Sequence, residues 1–185
     1  MKVILDIDGV LADTHLELLK RYNNEYRTNL TKSDLLHWDL TKVQKKGTDM
    51  IKHFHTPGFF ANLPVYEGAK QGVAALASIR CVELFIASAS TTVGFSEKEQ
   101  WIKQNFPEIP RDNIIFAVRK DLLAGDIMVD DALHNISSSI CTSTIIFNQP
   151  WNSNANLLRA NLFRANSWND VVRIIYCLLQ NRKVG

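Results

Sequence analysis

Short β-branched and apolar runs recur along this chain with longer stretches of helical periodicity between them. That alternation limits the fold more than any other feature. The runs are Val3–Leu5, Val82–Ala87, Asn113–Phe116, Ile127–Val129, Thr144–Phe147 and, with a fainter pattern, Leu162–Arg164. Helical spacing fits Glu67–Ser78, Glu97–Asn105 and Trp168–Gln180. The last is introduced by Ser167-Trp168-Asn169-Asp170, a capping-box pattern with Asp at its third position. Strands that alternate with helices point to βα units and crossover connections. The expected class is therefore α/β: a Rossmann-like three-layer fold around a central parallel sheet.

One segment breaks the rhythm. From about His15 to Pro57 there is no strand-like run, charges are frequent, and Leu16, Leu19, Tyr22 and Tyr26 recur at helical spacing. A chain of 185 residues holds one well-packed domain with room for a small insertion. The expected organisation is a core formed by residues 1–14 and 60–185, with residues 15–59 as a small helical cap inserted after the first strand.

Two of the strand-like runs end in carboxylates. Val3-Ile4-Leu5 leads into Asp6, Ile7, Asp8 and then Gly9, which lets the chain turn sharply. Residues two apart project to one side, so Asp6 and Asp8 can face a single pocket at the strand's carboxyl end. Ile127-Met128-Val129 leads likewise into Asp130-Asp131. An isolated Asp-Gly is ordinarily an acidic turn, but like charges meeting at buried strand ends call for a cation. Hard oxygen ligands suit magnesium, which also binds phosphate oxygens. Ser88 closes the run Leu84-Phe85-Ile86-Ala87, and Lys120 lies in the link before Asp130. Alone, each is a turn former or a solvated lysine. Together with the acidic ends they form what phosphoryl chemistry requires: a cation and a lysine to neutralise oxygens, a hydroxyl donor and a carboxylate to attack.

Other chemistries find less support. Lys45-Lys46-Gly47-Thr48 lacks the first glycine of a phosphate-binding loop, and His53 and His55 have no companion ligands for a soft metal. Lys plus Arg is 21 against 19 Asp plus Glu, a balance of +2, far from the concentrated positive charge that binding a nucleic acid polymer needs. Cys81, Cys141 and Cys177 are widely spaced in apolar stretches and are expected to be buried, reduced thiols. No leader and no membrane span are expected, because Asp6 cuts the opening apolar run and no run approaches the length a bilayer requires. The expectation is a cytoplasmic protein, with a homodimer as an allowed assembly.

The order Asp6-x-Asp8-Gly9-Val10, Ser88, Lys120, Asp130-Asp131 resembles the four motifs of the haloacid dehalogenase-like superfamily. Within it the chain is most similar to the 5′(3′)-deoxyribonucleotidase family. That likeness extends over Asp6–Asp13, Thr56-Pro57-Gly58-Phe59-Phe60, Leu63-Pro64 to Leu76, Lys98–Phe106 and Ile146–Asn152. The resemblance implies that Asp6 attacks phosphorus and that Asp8 protonates the leaving oxygen, then activates water. It implies magnesium held by Asp6, the Asp8 carbonyl and Asp130, with Asp131 behind them orienting a bound water. Ser88 and Lys120 would grip the phosphate, helped by the amides of Gly9 and Ala89. The cap would cover a small-molecule partner, a nucleoside monophosphate, with Trp38, Phe59 and Phe60 near the base or sugar. Thr14 stands where family members carry an aromatic residue, and Ala132 where an arginine is common. Rival readings are a phosphatase of another small ester, such as a sugar phosphate, and a noncatalytic nucleotide sensor on the same scaffold.

Overall fold

The computed structural model describes residues 1–156 and 158–182. Lys183 to Gly185, assigned to the core from the sequence, lie outside the described residues. Each apolar run forms a strand: β1 (Lys2–Leu5), β2 (Glu83–Ser88), β3 (Ile114–Phe116), β4 (Ile127–Asp130), β5 (Ser143–Phe147) and β6 (Leu162–Ala165). They make one sheet in the order β3-β2-β1-β4-β5-β6, and every neighbouring pair is parallel. After β1 the chain builds outward through β2 and β3, then returns to β1's other edge to build β4, β5 and β6. The reversal lies between β1 and β4, the position where open α/β sheets bind ligands. β4 and β5 are buried along their whole length, which is why they read as unbroken apolar runs.

The helices are α1 (Thr14–Tyr26), α2 (Ala69–Ala77), α3 (Gly94–Asn105), α4 (Leu133–Ser138) and α5 (Trp168–Arg182). Val3 and Leu5 point into the main core with Val73, Leu76, Trp168 and Val171 of α2 and α5. Ile4 points the other way, into a smaller cluster with Ala87, Met128 and Cys141. Period-2 alternation thus divides β1 between the two faces. α2 and α5 meet closely: a Cβ on Gly72 would lie 2.5 Å from Trp168 Cε3. The Trp168 ring is fixed because its Nε1 donates to the Val10 carbonyl at 2.9 Å, tying α5 to the turn after β1. At the start of α5, Asp170 N donates to Ser167 Oγ at 3.3 Å as the capping pattern implies. The reciprocal bond comes from Asn166 N to Asp170 Oδ2, one residue earlier than a strict box.

The excursion between β1 and α2 contains α1, and after it only short 3-10 turns at Lys32–Asp34, Leu40–Lys42, Ile51–His55 and Phe60–Asn62. It is less helical than expected. Of the residues at helical spacing on α1, Leu19 and Tyr22 are inside with Thr14, His15 and Leu18, and Tyr26 packs on the core, whereas Leu16 is exposed. The turns are held by side chains of α1, with Tyr22 Oη accepting from Lys45 N at 2.8 Å and Asn23 Nδ2 donating to the Leu30 carbonyl at 2.8 Å. Glu97 of α3 fastens the far end by accepting from the amides of Gly58 and Phe60 at 2.6 and 2.9 Å. Of the cysteines only Cys141 is buried; Cys81, in the turn before β2, and Cys177, on the outer side of α5, are exposed, and all three are free thiols. No helix among the described residues is long and apolar enough to cross a membrane.

Candidate active site

The carboxyl ends of β2, β1 and β4 lie side by side, and each delivers a polar group. Asp6 continues the β1–β4 pairing through its amide to the Val129 carbonyl at 3.0 Å. The chain then winds tightly: the Ile7 carbonyl accepts from the amides of Leu11 and Ala12 at 2.9 and 2.8 Å. Gly9 has φ +71°, and a Cβ there would lie 2.4 Å from Asp131 Oδ2. Glycine is required twice, for the backbone conformation and for the approach of the second acidic segment. The Gly9 carbonyl accepts from Gln149 Nε2 at 2.7 Å, and its amide donates to Ala12 at 2.9 Å. That amide is therefore engaged in the turn rather than free to meet a phosphate, contrary to expectation.

Asp6, Asp130 and Asp131 each bring a carboxylate oxygen to within 4.8 Å of the others. Lys120, buried at the start of the turn Lys120–Leu122, bridges two of them: Nζ lies 2.9 Å from Asp6 Oδ1 and 2.7 Å from Asp130 Oδ2. Asp130 is further held by Asn135 Nδ2 of α4 and by the Ala132 amide, at 3.0 and 2.8 Å. Both carboxylate oxygens of Asp131 are buried without a hydrogen-bond partner.

A second lysine completes the other side. Lys98 of α3, 1% exposed, donates to Asp8 Oδ2, to Ser88 Oγ at 3.1 Å and to the Ala89 carbonyl at 2.6 Å. Thr14 Oγ1 donates to the other Asp8 oxygen at 2.7 Å. Nothing in the sequence marked Lys98 as a site residue, since it lies in a helix rather than at a strand end. Its full burial in an otherwise polar stretch becomes visible only once α3 is packed.

Burial raises the Asp6 carboxyl to about 7, against the opposing pull of Lys120 and with the push of Asp130. Asp131 is pushed well above the ordinary carboxylate range by burial and by Asp130 and Asp6. Asp8 goes the other way: burial would raise it, but Lys98 and Thr14 together hold it below the ordinary carboxylate range. Burial would lower the Lys120 ammonium, yet Asp130 and Asp6 raise it, so it stays charged. Were Asp6, Asp8, Asp130 and Asp131 all ionised, they would face two ammonium groups with an excess of negative charge that a divalent cation would balance. All donors are hard oxygens, and the unpartnered Asp131 oxygens stand ready to hold a bound water. The residues fit magnesium.

Beside Asp8 and Lys98 opens a cavity of about 540 Å³ between α1, the Leu40–Lys42 and Ile51–His55 turns and the β2 end. Trp38, Phe60 and Ala89 line it. Phe59 does not: it is wholly buried in the core, edge-on to Phe60 at 4.9 Å and beneath the Arg21 guanidinium at 5.0 Å. His15, Phe54 and Thr91 also line the cavity and were not singled out in the sequence.

Residues 1–183 match the family model described as 5′ nucleotidase, deoxy (pyrimidine), cytosolic type C protein. A 5′(3′)-deoxyribonucleotidase of Bacillus subtilis (strain 168) is 28% identical over 173 residues, covering 92% of this chain and 96% of that protein. A 5′(3′)-deoxyribonucleotidase of Clostridium acetobutylicum is 33% identical over 169 residues, covering 89% of this chain and 88% of that one. In fold the chain is similar to a haloacid dehalogenase-like hydrolase of Streptococcus pneumoniae, with a TM-score of 0.63, 12% identity and coverage of 94% and 97%. The chain belongs to the 5′ nucleotidase, deoxy (pyrimidine), cytosolic type C family, a family of phosphoric monoester hydrolases.

Proposed function

We propose that this protein is a magnesium-dependent 5′(3′)-(deoxy)ribonucleotidase that dephosphorylates nucleoside monophosphates through a phosphoryl group carried on Asp6. The observation that carries this reading is the convergence of Asp6, Asp130 and Asp131 at adjoining strand ends, with Lys120 bridging the first two. Magnesium, held by Asp6, the Asp8 carbonyl and Asp130, would supply charge neutralisation at the phosphate oxygens. Asp6 attacks phosphorus, and the P–O bond to the nucleoside breaks as the leaving oxygen takes a proton from Asp8. Asp8 then removes a proton from a water that attacks the same phosphorus, so the Asp6–phosphorus bond breaks and inorganic phosphate leaves.

Lys98 explains how Asp8 serves both steps. Paired with Lys98 and bonded by Thr14, Asp8 is ionised. An arriving phosphate competes for that ammonium, leaves burial as the dominant influence on Asp8, and raises its affinity for a proton. Ser88, Lys120, Lys98 and the Ala89 amide hold the phosphate, while Trp38 and Phe60 offer flat apolar faces to the nucleoside. In this reading residues 15–59 act as a cap over the core of residues 1–14 and 60–185, and Phe59 anchors the cap instead of touching substrate. A cytoplasmic location suits the three free thiols.

The test is a phosphate-release screen over nucleoside and deoxynucleoside monophosphates and sugar phosphates, with and without magnesium. Nucleotides should lead, and chelation should abolish release. A sugar phosphate turned over faster than every nucleotide would overturn the substrate assignment, and full activity in chelator would overturn the metal. Asp6→Asn should retain the fold and lose turnover by about a thousandfold or more, since no other group replaces the nucleophile.

A further inference from the structure

α1 carries a group into the cavity that the chemistry above leaves unused. His15, in the first turn of the helix, lines the cavity together with Asp8, Trp38 and Lys98, yet is only 8% exposed. One face of its ring rests on Trp151, with centroids 4.2 Å apart and planes inclined by 42°. Among the described residues no hydrogen bond reaches either ring nitrogen. Burial pulls the ring down to about 4, although Asp8 and Asp13 act to raise it, so at neutral pH it is uncharged, with one donor and one acceptor nitrogen.

A phenyl ring would pack on Trp151 equally well, and neither His15 nitrogen is sealed from solvent, so packing alone does not account for a polar ring at this wall of the cavity. Binding cavities, by contrast, place a few polar groups among apolar walls to fix a ligand's orientation. The neighbouring hydroxyl cannot serve in this way, because Thr14 Oγ1 already donates to Asp8. Position then indicates what His15 meets. Asp8 attends the oxygen that leaves phosphorus, and in a nucleotide that oxygen is bonded to the sugar. The next group along the cavity from Asp8 is therefore the sugar, with the base farther out toward half-exposed Trp38.

We propose that His15 is a specificity-determining residue that reads the sugar, a ring nitrogen forming a hydrogen bond with a ring hydroxyl of the ribose or deoxyribose. This rests on the nucleotidase reading. An amphoteric nitrogen pair accepts a hydroxyl in either sense, as donor or acceptor, so the contact selects for a hydroxyl without demanding one base.

The experiment compares kcat/KM of the full chain, with magnesium, on a 2′-deoxyribonucleoside 5′-monophosphate and on the 2′,3′-dideoxy analogue of the same base. Wild type should favour the hydroxylated sugar by about tenfold or more, the factor one hydrogen bond contributes. His15→Phe keeps a ring against Trp151 without its nitrogens and should bring the ratio close to one. His15→Gln restores a polar tip and should recover part of the preference. An unchanged ratio in His15→Phe, or equal losses on both substrates, would overturn the proposal and leave His15 as packing. Should His15→Phe fail to fold, His15→Gln and His15→Ala decide: Gln must keep part of the preference and Ala must lose it, and equal ratios in the two would overturn the proposal. If wild type hydrolyses no nucleotide at all, the nucleotidase reading falls and takes this proposal with it; if it does and only the ratio is unmoved, His15 alone is misassigned.

Discussion

Lys98 shows how one side chain can set the protonation of another. It is buried against Asp8, Ser88 and the Ala89 carbonyl, and its ammonium lies 4.6 Å above the Phe60 ring. Replacing it with methionine preserves much of the volume but leaves the Asp8 carboxylate without its cation. Activity on nucleotides should fall by about 10² to 10³, the cost of removing one preorganised donor. The sign of the accompanying pH effect follows from the direction of the Asp8 shift. Lys98 holds Asp8 below its ordinary value, so its removal raises the Asp8 pKa. In the proposed mechanism Asp8 acts first as an acid, so the alkaline limb of the kcat/KM profile should move to higher pH in Lys98→Met. A limb that stays in place would assign the acid to another residue. Asp6, Asp8, Ser88, Lys120 and Asp130 could be read from the sequence because each follows an apolar run or stands in fixed order with those that do. Lys98, Thr14 and His15 could not, because their partners are distant in sequence and helix residues give no comparable signal. The aromatic pair Phe59-Phe60 looked equivalent in sequence, and only packing sends one ring to the cavity and the other to the core.

At the scale of elements, the strands were legible because a sheet covered on both faces demands continuous apolar runs; β2, β4 and β6 each run one residue past the expected end, to Ser88, Asp130 and Ala165. α4 was not foreseen: Leu133–Ser138 is too short to show a period, and it exists to bring Asn135 to Asp130. The segment after α1 was also overestimated in helix, since its turns are fixed by individual bonds to Tyr22, Asn23 and Glu97 rather than by a repeating face. The α2–α5 contact gives the clearest test of packing. Gly72→Ala should gain about 1 kcal/mol in helix propensity, but the added methyl meets Trp168 Cε3 at 2.5 Å. Trp168 is held by its bond to Val10, so the ring cannot withdraw. Overpacking costs about 1–3 kcal/mol and should win, giving a net loss in urea denaturation. A stabilised Gly72→Ala would show that α5 moves freely against α2.

For the molecule as a whole, the acidic cluster links stability, pH and metal. Folded Asp6 keeps its proton up to about 7, whereas an unfolded aspartate loses it near 3.8. Across that window the native state binds more protons than the unfolded one, so stability of the metal-free protein should fall as pH rises from about 4 to 7. Asp131, raised by burial and its acidic neighbours, acts in the same direction. A divalent cation reverses the repulsion, so the rise in Tm on adding magnesium should be larger at pH 8 than at pH 5. An equal rise at both would separate the cation from these carboxylates. The central claim is that two segments remote in the chain, at the ends of β1 and β4, share one ion while Asp6 keeps an oxygen for phosphorus. A crystal structure grown with magnesium tests this most directly. The expected result is an octahedral ion at about 2.0–2.1 Å from oxygens of both Asp6 and Asp130; an ion bound elsewhere, or touching only one of the two, would contradict it.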